Sequence, residues 1–234
     1  MPSKAEEEPP IVRADRDEAA WIAAATLVSL TLAASILVAG EAGREATRLA
    51  LRATARVSFV YFILAFVASP LARLRPGPFS GWLVRRRRAF GVAFGASMTI
   101  HVGCILRLYA LYAPARPPMV TDADLLIGVP GLVLVGLMTV TSLVAVRRRL
   151  GPVRWQRLHR VGIYAVWSIF FLCLIDSVGR KETAHPVLGY HLFVGVLLGA
   201  MALRLVAWRQ GSSPLRPRPV GASRRSSDGP RRAK

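Results

Sequence analysis

Arg85-Arg86-Arg87-Arg88-Ala89-Phe90-Gly91-Val92-Ala93-Phe94-Gly95-Ala96-Ser97-Met98-Thr99-Ile100-His101 is the stretch on which the fold turns. Four arginines stop abruptly at an apolar run, and a histidine stands thirteen residues past the last of them. At a helical rise of ~1.5 Å per residue, His101 lies ~20 Å beyond the charges. A bilayer has a hydrocarbon core of ~30 Å, so a run of this kind that crosses it carries its histidine well inside. An ionisable side chain at that depth marks a functional site by default.

Working outward, the chain repeats this alternation of basic clusters and apolar runs. It has 234 residues, 53% of them apolar, a mean hydropathy of +0.40 and a formal net charge of +19. In a soluble domain such a charge would point to nucleic acid. Here the basic residues stand in short segments between long apolar runs, the pattern that encodes membrane topology, and nucleic acid is set aside as a partner in favour of the lipid bilayer. Six runs are long enough to span: 19–40, 57–74, 89–113, 125–146, 161–178 and 187–208. Residues 1–18 are acidic-leaning and read as a disordered cytoplasmic lead. The first run lacks the basic flank of a cleaved signal peptide and reads as a retained anchor. Residues 209–234 form a basic, Pro/Ser-rich tail that composition makes disordered and suits to anionic headgroups.

With the N-terminus inside, segments 1–18, 73–88, 147–160 and 209–234 hold 23 Lys and Arg, against 7 in segments 41–56, 114–123 and 179–186. That asymmetry predicts an all-α membrane protein, a six-helix transmembrane bundle with both termini cytoplasmic. Trp21, Trp82, Trp155 and Trp208 fall at the inner boundaries, where an aromatic belt belongs. On the outer side Arg44, Arg48, Arg52 and Arg56 recur every four residues and share one helix face. They read either as a headgroup-facing stripe or as partners for the carboxylates of a bound group.

The chemistry available is narrow. Cys104 and Cys173 fall in apolar runs as small hydrophobes, with no CxxC or Cys/His spacing. GxGxxG, a Walker A motif, HExxH and any carboxylate pair within the spans are absent, and the tail leaves no length for a nucleotide domain. What remains is histidine: His101, His159, His185 and His191. Intramembrane histidine in a helical bundle implies haem, a proton path or a metal path, and neutral imidazole is a strong axial ligand for haem iron.

Three groups of residues carry a resemblance. They are Ala-Ser-Pro-Leu-Ala-Arg (68–73); Trp82-Leu-Val-Arg-Arg-Arg-Arg-Ala-Phe-Gly91 leading to Ser97-Met-Thr-Ile-His101; and Arg148-Arg-Leu-Gly-Pro152 with Trp155-Gln-Arg-Leu-His-Arg-Val-Gly-Ile-Tyr164. Together they resemble the ferric reductase-like transmembrane superfamily over roughly residues 44–207, and within it the MsrQ-like members. The resemblance implies b-type haem held by histidines of the third and fifth spans. It also implies electrons drawn from a cytoplasmic flavin reductase or quinone and delivered to an extracytoplasmic redox partner across the cell's inner membrane. By position His101 matches the third-span ligand and His159 the histidine opening the fifth span. Two positions depart from the pattern: Leu172 stands where a second fifth-span histidine is expected, and Met98 where some relatives carry a further one.

Depth separates the two matched histidines. His159 lies beside Arg157 and Arg160 at the inner boundary, whereas His101 lies ~20 Å higher, so the two mark an inner and an outer site. His191, ~25 Å above the inner face on the sixth span, is the alternative partner for His101. His185 beside Pro186 reads as an outer-loop residue. Gly91-x-x-x-Gly95 and Gly195-x-x-x-Gly199 permit close helix contact or room for a macrocycle. The cofactor-binding candidates are thus His101, His159 and His191, and the function expected is haem b electron transfer without a flavin or nicotinamide domain of the chain's own. The contrasting reading, motivated by Leu172, is a haem-free accessory or structural membrane subunit derived from the same fold.

Overall fold

The computed structural model describes residues 10–41, 43–115, 122–142, 144–179 and 187–211. Within these the chain is helical, with no strand: α1 (Pro10–Ala39), α2 (Arg44–Leu74), α3 (Pro78–Arg85), α4 (Arg87–Tyr112), α5 (Asp122–Thr141), α6 (Val144–Leu150), α7 (Pro152–Gly179) and α8 (Val187–Gly211). Five stretches are long and apolar enough to cross a membrane: Asp17–Ala39, Arg44–Leu74, Arg87–Tyr112, Pro152–Asp176 and Tyr190–Gln210. The fourth expected run supplies a shorter apolar helix, Leu125–Thr141. Large apolar side chains face outward along these helices, Val38 at 80% and Leu126 at 77% exposure among them. Only a hydrocarbon surround leaves such a surface at low free energy.

Three boundaries differ from the sequence reading. α1 starts at Pro10, inside the lead expected to be disordered; proline at the first helical position costs nothing, because its missing N–H would be unpaired there anyway. The fourth run does not continue to 146. The Thr141 and Ser142 hydroxyls donate to the carbonyls of Leu137 and Met138, at 2.7 and 2.8 Å, offering the backbone an alternative to further helix just where α5 ends. α6 then carries Arg147–Arg149 as a separate turn, and Gly151, at φ +79°, makes the left-handed corner into α7. Between α2 and α4 the short α3 was not foreseen. Pro78 opens it, and Ser80 Oγ accepts from the Gly77 N–H at 3.0 Å while donating to the Arg75 carbonyl at 2.8 Å.

α2 is the central helix, packed against α1, α3, α4 and α8, while α5 and α7 pair beside it and α7 reaches α8. The basic ends come together. Arg88 pairs with Glu18 at 2.9 Å, Arg86 sits 4.5 Å over the Trp21 ring, Trp21 meets Trp82 edge-on at 6.1 Å, and Arg73 reaches the Ala207 carbonyl. At the opposite end Arg48 donates to the Tyr112 hydroxyl at 2.7 Å, and Arg44 donates to the Leu111 carbonyl and stacks 4.4 Å over the Tyr112 ring. The α2 arginine stripe therefore divides, its first half clasping α2 to the end of α4.

Lipid-embedded helices gain little from burying apolar surface against one another, so close fit and interhelical hydrogen bonds hold the bundle. Phe59, Phe62, Phe66, Phe94 and Phe170 form a chain of ring contacts across α2, α4 and α7, with centroids 5.3–6.1 Å apart. Several glycines admit close approach. A β-carbon at Gly95 would collide with the Thr139 side chain of α5, and one at Gly162 with Met138. Gly91, Gly195 and Gly199 have open space instead, so of the expected small-residue pairs only Gly95 marks a close helix contact. Between α2 and α4 the fully buried Ser58 donates to Ser97 at 2.8 Å. Ser97→Ala is expected to strand the Ser58 hydroxyl and cost about 0.6–1.7 kcal/mol, read as a lower melting temperature in detergent.

Candidate functional site

One turn beyond Ser97 on the same face of α4 stands His101, and one turn before Ser58 on α2 stands Thr54. The two meet: Thr54 Oγ1 lies 3.0 Å from His101 Nδ1. Thr54 is fully buried, and its single hydroxyl hydrogen is directed back to the Ala50 and Leu51 carbonyls at 2.9 and 3.0 Å. With the hydrogen so placed, the oxygen is free to accept from an Nδ1–H. That assignment makes the imidazole the Nδ1–H tautomer and leaves the lone pair on Nε2, the atom that would ligate a metal.

His101 lines a cavity of about 350 Å³. α2 contributes Arg52, Arg56 and Phe59; α5 contributes Gly128, Gly131, Leu132 and Val135; α7 contributes Val166, Ile169, Phe170, Cys173 and Leu174; and α8 contributes Tyr190 and Phe193. Phe59, Phe94 and Phe170 of the ring cluster also line it. Ile169 would meet a β-carbon at Gly131 at 2.7 Å, whereas one at Gly128 meets nothing within 4 Å. The α5 wall thus alternates bare backbone at Gly128 and Gly131 with the side chains of Leu132 and Val135. The volume is within the ~300–1,000 Å³ of small-molecule sites, and the lining is largely apolar with a few polar groups, as such sites are.

The other candidates stand elsewhere. His159 is at the basic end of α7, its ring 4.3 Å from Trp155 and its Nε2 3.5 Å from Ser142 Oγ; it does not line the cavity. His191 is exposed on α8 and is not among the lining residues, although its neighbour Tyr190 is. Leu172, where the resemblance led one to look for histidine, is 48% exposed and outside the lining. His185 lies outside the described residues. Among the described residues no group of three or more His, Cys, Asp or Glu side chains could hold a bare metal ion.

Sequence reasoning passed over Thr54, whose signal is its place one turn before Ser58 on a helix already marked by arginines. It also passed over Arg204, which lies within the Tyr190–Gln210 span with its guanidinium 4.4 Å over the Phe66 ring and 5.0 Å from Tyr164.

The stretch that builds this site is the one shared with known proteins: residues 52–171 match the family described as the ferric reductase like transmembrane component. The chain belongs to that family. Its matched region opens at Arg52 on the cavity wall, includes His101 and His159, and closes at Phe171. This ferric reductase-like protein is also similar to the protein-methionine-sulfoxide reductase heme-binding subunit MsrQ of Azospira oryzae, at 30% identity over 173 residues, covering 68% of this chain and 69% of that one. No solved structure matches the chain.

Proposed function

We propose that this ferric reductase-like protein is a multi-pass inner-membrane haem b subunit. It passes electrons from a cytoplasmic flavoprotein or quinone to an acceptor outside the cytoplasm. The bundle takes six spans in this reading, with α5 as the shortest and both termini cytoplasmic, which the distribution of Lys and Arg supports. One observation carries the proposal: His101 lines an apolar cavity with its Nδ1 3.0 Å from Thr54 Oγ1, an arrangement that suits ligation through Nε2. A relative named as a heme-binding subunit supports it.

The residues present fit the group. His101 supplies a neutral imidazole, the bare α5 wall at Gly128 leaves room for a flat macrocycle, and Arg52 and Arg56 supply guanidiniums that suit its two carboxylates. Bound there, haem supplies reversible one-electron transfer. The chain's own contribution is to fix the imidazole tautomer through Thr54, to exclude water with Phe59, Phe94 and Phe170, and to counter negative charge with the two arginines. The cationic segments 85–88 and 147–149 at the basic end suit an acidic donor protein.

The test is a reduced-minus-oxidised spectrum of protein purified in detergent after haem-replete expression. A Soret shift with an α-band is expected; their absence would sink the haem reading and favour the haem-free accessory subunit. Thr54→Val, which keeps the shape of the side chain but removes the acceptor, is expected to weaken haem retention about 10–100-fold, as measured by haem transfer to a scavenger globin.

A further inference from the structure

The basic end of the bundle holds a second cavity, of about 330 Å³, lined by Arg88, Ser142, Arg147, Arg148, Gly151 and Pro152. Its three guanidiniums come from two separate joints of the chain, Arg88 from the first turn of α4 and Arg147 and Arg148 from the last turn of α6. Charges that only set topology need no common focus, whereas these line one hollow. Two of them are held in place. Arg88 donates to Glu18 at 2.9 Å and to the Ser142 carbonyl at 3.2 Å, and the Arg147 guanidinium lies 4.4 Å over the Trp155 ring. The corner at Gly151 keeps the hollow open: its N–H donates to the Arg147 carbonyl at 3.2 Å, and a β-carbon there would meet nothing within 4 Å. Among the described residues the three arginines have one carboxylate partner between them, Glu18 on Arg88. The Trp155 Nε1, on the ring beneath Arg147, is buried without an acceptor among the described residues. Surplus positive charge beside an unused donor suits an anion with several oxygens, and the planar guanidinium fork matches phosphate.

We infer that this cavity binds the phosphate of an anionic phospholipid in the leaflet at the basic end, bridging the start of α4 to the corner between α6 and α7. Depth favours the lipid over free phosphate, which offers the same oxygens. Two stretches able to cross a membrane, Arg87–Tyr112 and Pro152–Asp176, begin beside the cavity, so Arg88 and Pro152 stand at headgroup level. Leu137 and Val140 at the end of α5 and Val153 at the start of α7 are exposed, and they offer apolar surface to acyl chains next to the charges. Basic hollows between helix ends at this level are where anionic headgroups dock. The inference stands apart from the haem reading. Arg85, Arg86 and Arg149 lie outside the lining and remain for an acidic donor protein.

The full chain, purified in detergent and stripped of lipid by extended washing, provides the test. It is titrated with phosphatidylglycerol, phosphatidylcholine, inorganic phosphate or poly-glutamate at constant ionic strength. Melting temperature follows binding, and native mass spectrometry reads the retained lipid. Phosphatidylglycerol is expected to raise the melting temperature and to stay bound through the gas phase; the other three are not. Arg147→Ala/Arg148→Ala is expected to weaken phosphatidylglycerol binding about 30-fold. Arg154→Ala/Arg157→Ala, which removes the same charge from the same end but outside the lining, should bind as wild type does. Arg147 and Arg148 are exposed, so helicity should survive their replacement. If it does not, Arg147→Lys/Arg148→Lys carries the comparison, keeping the charge but losing the fork, with binding expected between the alanine pair and wild type. Equal losses in the two alanine pairs, or a lysine pair that binds as wild type does, would overturn the built site. Inorganic phosphate as effective as the lipid overturns the lipid source. Poly-glutamate that outcompetes the lipid makes the cavity a protein-docking point, and phosphatidylcholine as effective as phosphatidylglycerol removes anion recognition; either result overturns the inference.

Discussion

Replacing His101 with alanine is expected to abolish the b-type spectrum of the cavity while leaving the bundle folded. The side chain is the only imidazole among the described residues that line the site. Its removal would take away the imidazole that would hold the haem and leave Thr54 Oγ1 facing a small void, with the Thr54 hydroxyl still within reach of the Ala50 and Leu51 carbonyls. No donor is stranded, because the lost partner was itself the donor. The structural penalty is therefore that of one interhelical hydrogen bond, about 0.6–1.7 kcal/mol. Haem occupancy should fall at least a hundredfold in titration with hemin, while helicity by circular dichroism stays within error of wild type. His159→Ala is the matching control: that ring packs on Trp155 at the basic end, outside the cavity, so the outer spectrum should survive. Loss of the band in His159→Ala with retention in His101→Ala would reverse the assignment.

Gly95→Val should be the most damaging packing change. A β-carbon at this position overlaps the Thr139 side chain, and the Thr139 hydroxyl is already tied to the Val135 carbonyl at 2.8 Å. Turning that side chain away would break its bond, so α4 and α5 must separate instead. Overpacking of this kind costs about 1–3 kcal/mol. The shift also widens one wall of the cavity, so melting temperature and haem retention should fall together. Thr139→Ala added to Gly95→Ala should recover part of the loss, since it removes the two atoms that overlap most. Gly91→Val is the contrast, with nothing within 4 Å of the added carbon, and should be close to neutral.

Much of the architecture was legible in the chain because the bilayer enforces it. Runs of apolar residues between arginines can only be buried in lipid, and five of the six expected runs appear as helices long enough to cross. The ends were less legible. The fourth run looked continuous to Val146 by hydropathy, but α5 ends at Thr141, where the Thr141 and Ser142 hydroxyls bond back to the helix carbonyls, a feature that a hydropathy profile does not register. The site was half legible. His101 announced itself by depth, since an imidazole ~20 Å along the helix from the arginine cluster at 85–88 needs a reason. Thr54 did not, because a threonine is unremarkable until the register of α2 against α4 is known, and register is a tertiary quantity. The arginine stripe shows the same limit. Period-four spacing gave one face, but where Arg48 meets Tyr112 and Arg52 meets the cavity depends on which helix end lies beside each turn.

The cavity between α4 and α7 also divides the bundle as a joint divides masonry. On one side α2 and α4 interlock through the Ser58–Ser97 and Thr54–His101 pairs, with α1 packed against both; on the other α5, α7 and α8 stand together, bound to the first group by the α2–α8 and α4–α5 seams and by the rings that meet Phe170. An occupant touching both groups is mortar. If it binds only the assembled bundle, a hundredfold excess over its dissociation constant adds ~2.7 kcal/mol to the stability of the whole. Filled and emptied molecules should then melt as distinct populations, and a half-loaded preparation should show two calorimetric transitions where a fully loaded one shows a single transition at the higher temperature.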